Sequence, residues 1–267
     1  MKTYKDLICT MHKTTLLVEI NRPEKRNAMR LSLREELIDA FQSAEEDDAV
    51  EAIVVTGAGT AAFSAGADLT ELQTRTVESE MSRAAMLRRN LPAVAESCSK
   101  PIVAAINGAC IGAGLEFALG CPIRISSESA TYGMPEVPLG VLPGSGGTQR
   151  LTRVVGLGWS MHMTLTGTSI TAQEALQIGL VTAIHQGDEL TAKALELAGT
   201  LGRQPRLAFI AARDAIIKAF DVDLATGIDM ERKLFALCLS TGIPQVRAQE
   251  LLERISARSR SGICQGV

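Results

Sequence analysis

The sequence has few aromatic residues and none of the residue groupings that a simple metal or triad site requires. Aromatic residues make up 3% of its 267 residues, whereas hydrophobic residues make up 46%. This balance predicts a sizeable core built from aliphatic side chains. The three histidines, His12, His162 and His185, are scattered without the spacing of metal ligands. We therefore predict no zinc or other metal site and no histidine-based catalytic triad.

Paired cysteine motifs are also missing from the chain. None of its six cysteines forms a CxxC pair. This usage is typical of small, reduced core residues in a cytoplasmic protein. The six are Cys9, Cys98, Cys110, Cys121, Cys238 and Cys264.

The chain lacks long apolar runs and an excess of positive charge. No uninterrupted apolar stretch approaches the length of a transmembrane helix, and no signal peptide follows Lys2 and Lys5. The net charge of −3 argues against bulk electrostatic attraction to nucleic acid or to an anionic membrane. We expect a cytoplasmic enzyme with neither a membrane nor a nucleic acid as its partner.

Apolar segments and turn signals predict an α/β protein. Residues 15–20 have the composition of a β-strand. Segments 52–57 and 101–106 are mostly apolar, which is typical of buried strands in a parallel sheet. Helical spacing dominates from about residue 190 to 257. We therefore predict a strand–helix core over residues 1–195 that holds the active site, followed by a helical region over residues 196–267.

Local signals also predict where several helices begin. Ser32 with Glu35, and Thr171 with Glu174, have the spacing of capping boxes. The polar stretch from about residue 70 to 97 is predicted to be helical.

Three short motifs rich in glycine or proline contain the candidate chemistry. They cover residues 63–69, 111–116 and 132–140, and the last two contain Glu116 and Glu136. Small residues let a ligand approach the backbone closely, and two carboxylates can serve as a general acid and a general base. Together the motifs predict a site that moves protons next to a thioester carbonyl.

Five segments occur in an order that resembles the crotonase family, also called the enoyl-CoA hydratase/isomerase superfamily. That resemblance implies a spiral of repeated ββα units and a C-terminal helical trimerisation region. It also implies a homotrimer or a dimer of trimers. The segments are residues 21–28, 63–69, 101–108, 112–116 and 135–150.

The resemblance further implies a set of catalytic roles. Glu116 and Glu136 match the two catalytic glutamates of the hydratases, with Glu116 as the base and Glu136 as the acid. Their separation, 136 − 116 = 20 residues, also fits that pattern. The amides of Ala67 and Ala113 match the two donors that stabilise an enolate oxygen. Gly144 matches a backbone position that holds the water.

Coenzyme A enters these expectations as part of the acyl-CoA substrate, and no separate cofactor is expected. Seven residues match positions along the coenzyme A groove of the family: Lys25, Arg26, Ala28, Ala65, Asp68, Leu69 and Arg254.

The leading hypothesis is hydration of trans-2-enoyl-CoA to 3-hydroxyacyl-CoA. One alternative is a Δ3,Δ2-enoyl-CoA isomerase, although the position of Glu116 is usually apolar in that class. Another is a different CoA-thioester lyase of the superfamily, since one fold hosts many reactions. A third is an RNA-binding member with a basic stripe on one of two arginine groups. These groups are Arg83, Arg88 and Arg89, and Arg254, Arg258 and Arg260.

Overall fold

The computed structural model describes residues 2–260 of the chain, and side chains are described as far as residue 257. Cys264 and the side chains of Arg258 and Arg260 lie outside the described part. The other five cysteines form no disulfide bond.

The described residues form ten strands and twelve α-helices. The strands are β1 (Leu7–His12), β2 (Thr15–Ile20), β3 (Ala52–Gly57), β4 (Ala62–Ser64), β5 (Ile102–Ile106), β6 (Ala109–Ile111), β7 (Ile123–Ser127), β8 (Thr131–Gly133), β9 (Ile170–Thr171) and β10 (Ile184–His185). The helices are α1 (Leu31–Glu46), α2 (Leu69–Leu72), α3 (Val77–Met81), α4 (Arg83–Met86), α5 (Leu91–Ser97), α6 (Ala113–Gly120), α7 (Gly147–Thr166), α8 (Ala172–Gln177), α9 (Leu190–Gly202), α10 (Arg206–Lys218), α11 (Leu224–Leu239) and α12 (Ile243–Arg260).

Two sheets share the strands in alternation. The larger has the order β1-β2-β3-β5-β7-β10, and the smaller has the order β4-β6-β8-β9. From β3 to β8, consecutive strands therefore switch from one sheet to the other. Pairing is parallel within both sheets except for β1 with β2 and β8 with β9. This repeated switching is the spiral of ββα units that the family resemblance implies.

The core is mostly aliphatic, as the composition predicts, but its centre is not. Phe117 on α6 stacks with Phe41 of α1 at 6.0 Å between ring centroids and with Phe63 of β4 at 5.9 Å. All three rings are buried. Three of the six phenylalanines thus lie on or against the helix that carries Glu116.

The helical character predicted for residues 70–97 is present, but as four short helices, α2 to α5, because Thr76, Ser82 and Asn90 each cap a new helix. The predicted start of α1 is wrong. Ser32 does not begin α1. The helix starts at Leu31, whose amide donates to the carboxylate of Glu71 at 3.0 and 3.1 Å.

The predicted capping box of α8 is confirmed. Thr171 accepts from the amide of Glu174, and the Glu174 side chain accepts from the amide of Thr171.

The chain divides into two compact units between Arg203 and Gln204. The first contains both sheets and helices α1 to α9. The second contains α10, α11 and α12, which agrees with the helical character predicted for this part. Helix α11 has no buried residue, and several of its large apolar side chains are exposed, among them Leu224, Ile228 and Phe235.

Candidate active site

Two glycines with left-handed backbone lie side by side where β4 and β6 end. β4 and β6 are parallel neighbours, and Gly66 and Gly112 have φ values of +103° and +50°. A Cβ atom on Gly66 would lie 3.1 Å from the carbonyl oxygen of Ile111 and 3.9 Å from the amide nitrogen of Ala113. Both the backbone conformation and this close approach require glycine.

Each of these glycines precedes one of the predicted donor amides. Ala67 forms a parallel bridge with Met29, in which the amide of Met29 donates to Gly66 and the amide of Asp68 donates to Met29. That pattern directs the Ala67 amide to the opposite side. Among the described residues, the amides of Ala67 and Ala113 donate no hydrogen bond.

Ala113 is the first residue of α6, with Gly112 as its N-cap. Amides in a first helical turn have no partner within the helix, and the helix dipole favours negative charge at this end. The amides of Ala67 and Ala113 are therefore available to an oxyanion, as the sequence predicts for an enolate.

Glu116 lies one turn further along α6 and is buried, at 3% exposure. Its Oε1 accepts from the amide of Ser145 at 2.6 Å and from the amide of Gly147 at 2.9 Å. Gly147 begins α7, so the carboxylate also lies at a helix N-terminus. Two amide donors and the helix dipole stabilise negative charge on Glu116.

Glu136 follows β8 and occupies a different environment. Its Oε1 lies against Gly112, where an added Cβ would be only 2.6 Å away. Its Oε2 is buried and has no hydrogen-bond partner. Burial raises the pKa of Glu136 to about 7, the charge of Glu116 adds to this, and its own backbone amide opposes it.

Gly112 is where these groups converge. Its carbonyl accepts from the amide of Glu116 at 2.8 Å, its Cα faces Glu136, and its neighbour Ala113 supplies a free amide. The structure thus brings together both predicted glutamates and one predicted donor, while Gly66 links the other donor, Ala67, to the same place.

The backbone around Gly144 contributes more than the sequence analysis predicted. Gly144 itself is exposed, and a Cβ there would meet nothing within 4 Å. Sequence analysis missed the amides of Ser145 and Gly147 as the groups that hold Glu116. The run of glycines over residues 144–147 was a signal, because such runs allow successive amides to point at one anion.

The predicted coenzyme A segments are joined to each other by hydrogen bonds. The amide of Ala65 donates to the carbonyl of Arg26 at 2.9 Å, and the amide of Met29 donates to Gly66 at 2.7 Å. Lys25 and Arg26 are exposed, as groups that contact a soluble ligand need to be.

Two buried residues that sequence analysis missed hold this loop together. Arg22 donates to the carbonyl of Ala28 at 2.6 Å and to the carboxylate of Asp68 at 3.2 Å. Asn27 accepts from the amide of Arg22 at 3.0 Å and donates to the carbonyl of Ala62 at 2.8 Å. Asp68 therefore has a structural role as well, because it also caps α2.

The remaining predicted coenzyme A residues are exposed. Leu69 begins α2 beside Asp68, and Arg254 lies on α12 in the second compact unit. Their contacts with coenzyme A stay predictions.

Residues 2–260 show neither a metal-binding cluster nor a membrane-spanning helix. They contain no cluster of three or more histidine, cysteine, aspartate or glutamate side chains suited to hold a metal ion. None of their helices combines the length and apolar character needed to span a membrane.

Most of the chain matches a known protein family. Residues 10–254 match the family model described as enoyl-CoA hydratase/isomerase. The chain belongs to this family. It is an enzyme of the enoyl-CoA hydratase group, which are lyases, and its fold is the crotonase fold.

Named relatives share most of the chain. The 2,3-dehydroadipyl-CoA hydratase of Escherichia coli is 39% identical over 88% of this chain and 91% of its own. The short-chain-enoyl-CoA hydratase of Clostridium acetobutylicum is 38% identical over 84% of this chain and 86% of its own. The crystal structure of the enoyl-CoA hydratase from Bacillus anthracis matches with a TM-score of 0.86 and 33% identity, covering 94% of this chain and 97% of that one.

Proposed function

We propose that the protein hydrates trans-2-enoyl-CoA thioesters to 3-hydroxyacyl-CoA, with Glu116 as the base and Glu136 as the acid. The main observation in support of this proposal is that the two carboxyl groups lie in opposite environments. Glu116 accepts from two amides at a helix N-terminus, whereas Glu136 is buried with an unpartnered oxygen. Relatives named as hydratases support the same reaction.

Glu116 is held in place by the backbone to act on water. Its Oε1 is fixed by Ser145 and Gly147, so Oε2 is the oxygen directed to the reaction. As water attacks Cβ of the conjugated thioester, Oε2 takes a proton from it, and electron density moves through Cα to the thioester oxygen.

Glu136 is the proton donor in this proposal. With a pKa of about 7, this side chain carries a proton in a substantial fraction of molecules at neutral pH. In the proposed reaction it delivers that proton to Cα, which completes the addition of water. Return of the proton from Glu116 to Glu136 then resets the site, and no cofactor is consumed.

The amides of Ala67 and Ala113 stabilise the enolate oxygen in this proposal. Ala113 offers a specific test because proline is well tolerated at the first position of a helix. Ala113→Pro deletes one donor, and we expect a loss of roughly a hundredfold or more in kcat. Ala113→Gly, which keeps the amide, is the matched control. Equal activity in the two variants would remove Ala113 from the oxyanion site.

The reaction itself is tested with crotonyl-CoA. Hydration destroys the conjugated enoyl thioester, so its ultraviolet absorbance should fall when enzyme is added. An isomerase would instead leave this absorbance unchanged and generate it from a 3-enoyl-CoA. The second result without the first would reject the proposed function.

The RNA-binding alternative receives little support from the first arginine group. Arg88 forms an ion pair with Glu80 at 3.9 Å, and Arg89 forms one with Glu35 at 2.8 Å. A filter-binding titration with RNA at increasing salt tests it, and tight binding with a steep salt dependence would revive it.

We also propose self-association into a homotrimer or a dimer of trimers. Exposed apolar side chains on α11 and α12, such as Phe235, Leu251 and Leu252, support a contact between copies. The solution mass from light scattering tests this proposal, and a monomer at micromolar concentration would contradict it.

A further inference from the structure

Arg34 is a cation on the core-facing side of an amphipathic helix. Residues one turn further along α1 are Leu37 and Ile38, which are fully buried. Two turns further along is Phe41, whose ring stacks on Phe117. Because residues at these spacings share a helix face, Arg34 projects on the side of α1 that packs toward α6 and Glu116.

Arg34 has no partner of its own. Among the described residues, its side chain forms no hydrogen bond and no carboxylate lies within ion-pair distance. The charges that act on it most strongly are those of Arg75 and Glu116, followed by Glu71 and Arg88. Burial, and next the charge of Arg75, lower the pKa of Arg34. The side-chain nitrogens of Arg34 are not among the buried unpartnered atoms of the described residues, so they remain open to solvent and to a carboxylate that a ligand supplies.

The nearby carboxylates are already engaged. Glu71 accepts from the amide of Leu31 and lies 4.0 Å from Arg75. Glu80 lies 3.6 Å from Arg75 and 3.9 Å from Arg88. With Glu116, whose Oε1 accepts from two amides, three carboxylates therefore face three guanidiniums, and in the described part of the chain Arg34 is the guanidinium of this group that forms no ion pair.

The segment that contains Arg75 and Arg88 is fastened to α1 on both sides of Arg34. Glu71 binds the first turn of α1 at Leu31. Arg89 binds Glu35 at 2.8 Å and Gln42 at 2.6 Å. Arg34 thus lies between the positions of α1 to which this segment is fastened, Leu31 on one side and Glu35 and Gln42 on the other.

We propose that Arg34 binds a carboxylate on the acyl chain, so that the preferred substrates are enoyl-CoA thioesters of dicarboxylic acids. This inference rests on the proposed function, because Glu116 fixes where Cβ lies. In this proposal, the acyl atoms beyond Cβ extend past Glu116 toward Arg34, whose charge interacts with that of Glu116. A guanidinium suits this task because its planar array of donors matches a carboxylate in a bidentate pair.

The test compares three thioesters that differ at the far end of the acyl chain. Glutaconyl-CoA carries the carboxylate, its methyl ester hides the charge at nearly the same shape, and crotonyl-CoA lacks the group. Hydration of each is measured as kcat/KM in the wild type, Arg34→Met and Arg34→Lys. Arg153→Met, on the exposed side of α7, is the control for loss of one positive charge.

We expect the wild type to prefer glutaconyl-CoA over its methyl ester by roughly tenfold to a hundredfold. Arg34→Met should abolish this preference, and Arg34→Lys should retain part of it. Arg153→Met should leave the preference intact. If Arg34→Met lowers activity equally on all three substrates, Arg34 positions Glu116 or binds a phosphate of coenzyme A, and the proposal is rejected.

A binding measurement separates this proposal from the proposed function. Glutaryl-CoA and butyryl-CoA have no double bond to hydrate, and calorimetry reports their affinities without catalysis. Tighter binding of glutaryl-CoA that disappears in Arg34→Met supports the carboxylate site even if crotonyl-CoA is not hydrated. Equal affinities in the wild type contradict it even if crotonyl-CoA is hydrated.

Discussion

The candidate site contains two carboxyl groups, those of Glu116 and Glu136, in opposite environments. At the start of α7, the backbone offers Glu116 two amide donors and the positive end of a helix dipole. After β8, Glu136 has one buried oxygen with no donor at all. The difference shows that the division into base and acid can be set by backbone amides and burial, without a change of residue type.

The largest effects should come from removing either carboxyl group. We expect Glu116→Gln and Glu136→Gln each to lower kcat for crotonyl-CoA by about a hundredfold to ten-thousandfold, because each step needs its own proton-transfer group. The double variant should be little slower than either single one, since the pair acts as a unit. A wild-type rate in either single variant would reject the two-carboxylate mechanism.

The next largest loss of kcat should follow from a substitution that displaces the Glu136 side chain. Gly112→Ala places a methyl group 2.6 Å from Oε1 of Glu136 at a backbone φ of +50°, so the side chain must move. We expect at least a tenfold loss of kcat, on the scale of other small displacements of catalytic groups. Gly158→Ala on α7, where a Cβ meets nothing within 4 Å, is the control. Equal rates in both variants would mean that Glu136 need not occupy its present position.

The pH dependence should show which carboxyl group is the acid. Glu136 must carry its proton, and its pKa is raised to about 7, so kcat/KM for hydration should fall as pH rises through about 7. Glu136→Gln cannot lose that proton, and its residual activity should lack this decline. The same decline in Glu136→Gln would assign it to another group.

The smallest effect concerns stability. Because folding raises the pKa of Glu136, the folded state binds more protons than the unfolded state between the ordinary pKa and about 7. The free energy of unfolding therefore decreases as pH rises through that range, because the folded state must give up the proton of Glu136. We expect Glu136→Gln to have a higher Tm than the wild type at pH 8 and the same Tm at pH 5. A lower Tm at pH 8 would show that the Glu136 charge is stabilised.

The sequence predicts the fold better than the details of the site. The five ordered segments identify the spiral and both glutamates, because the residue types themselves are distinctive. The donors to Glu116 were missed because backbone amides have no residue identity, although the glycine run over 144–147 suggests them. The prediction for the start of α1 was wrong because the first amide of the helix, that of Leu31, is capped by Glu71, which is distant in sequence. The sequence shows Arg34 close to the apolar positions of α1, but whether a cation has a partner depends on contacts between residues that are distant in sequence.

The protonation of Glu136 tests the account most directly. Carboxyl-carbon NMR of protein labelled in glutamate, with the resonance identified by its absence in Glu136→Gln, reports this titration. We predict a midpoint near pH 7 in the wild type. In Glu116→Gln the midpoint should fall but stay above the ordinary glutamate value, because burial is the larger cause. A midpoint at the ordinary glutamate value in the wild type would contradict the assignment of Glu136 as the acid.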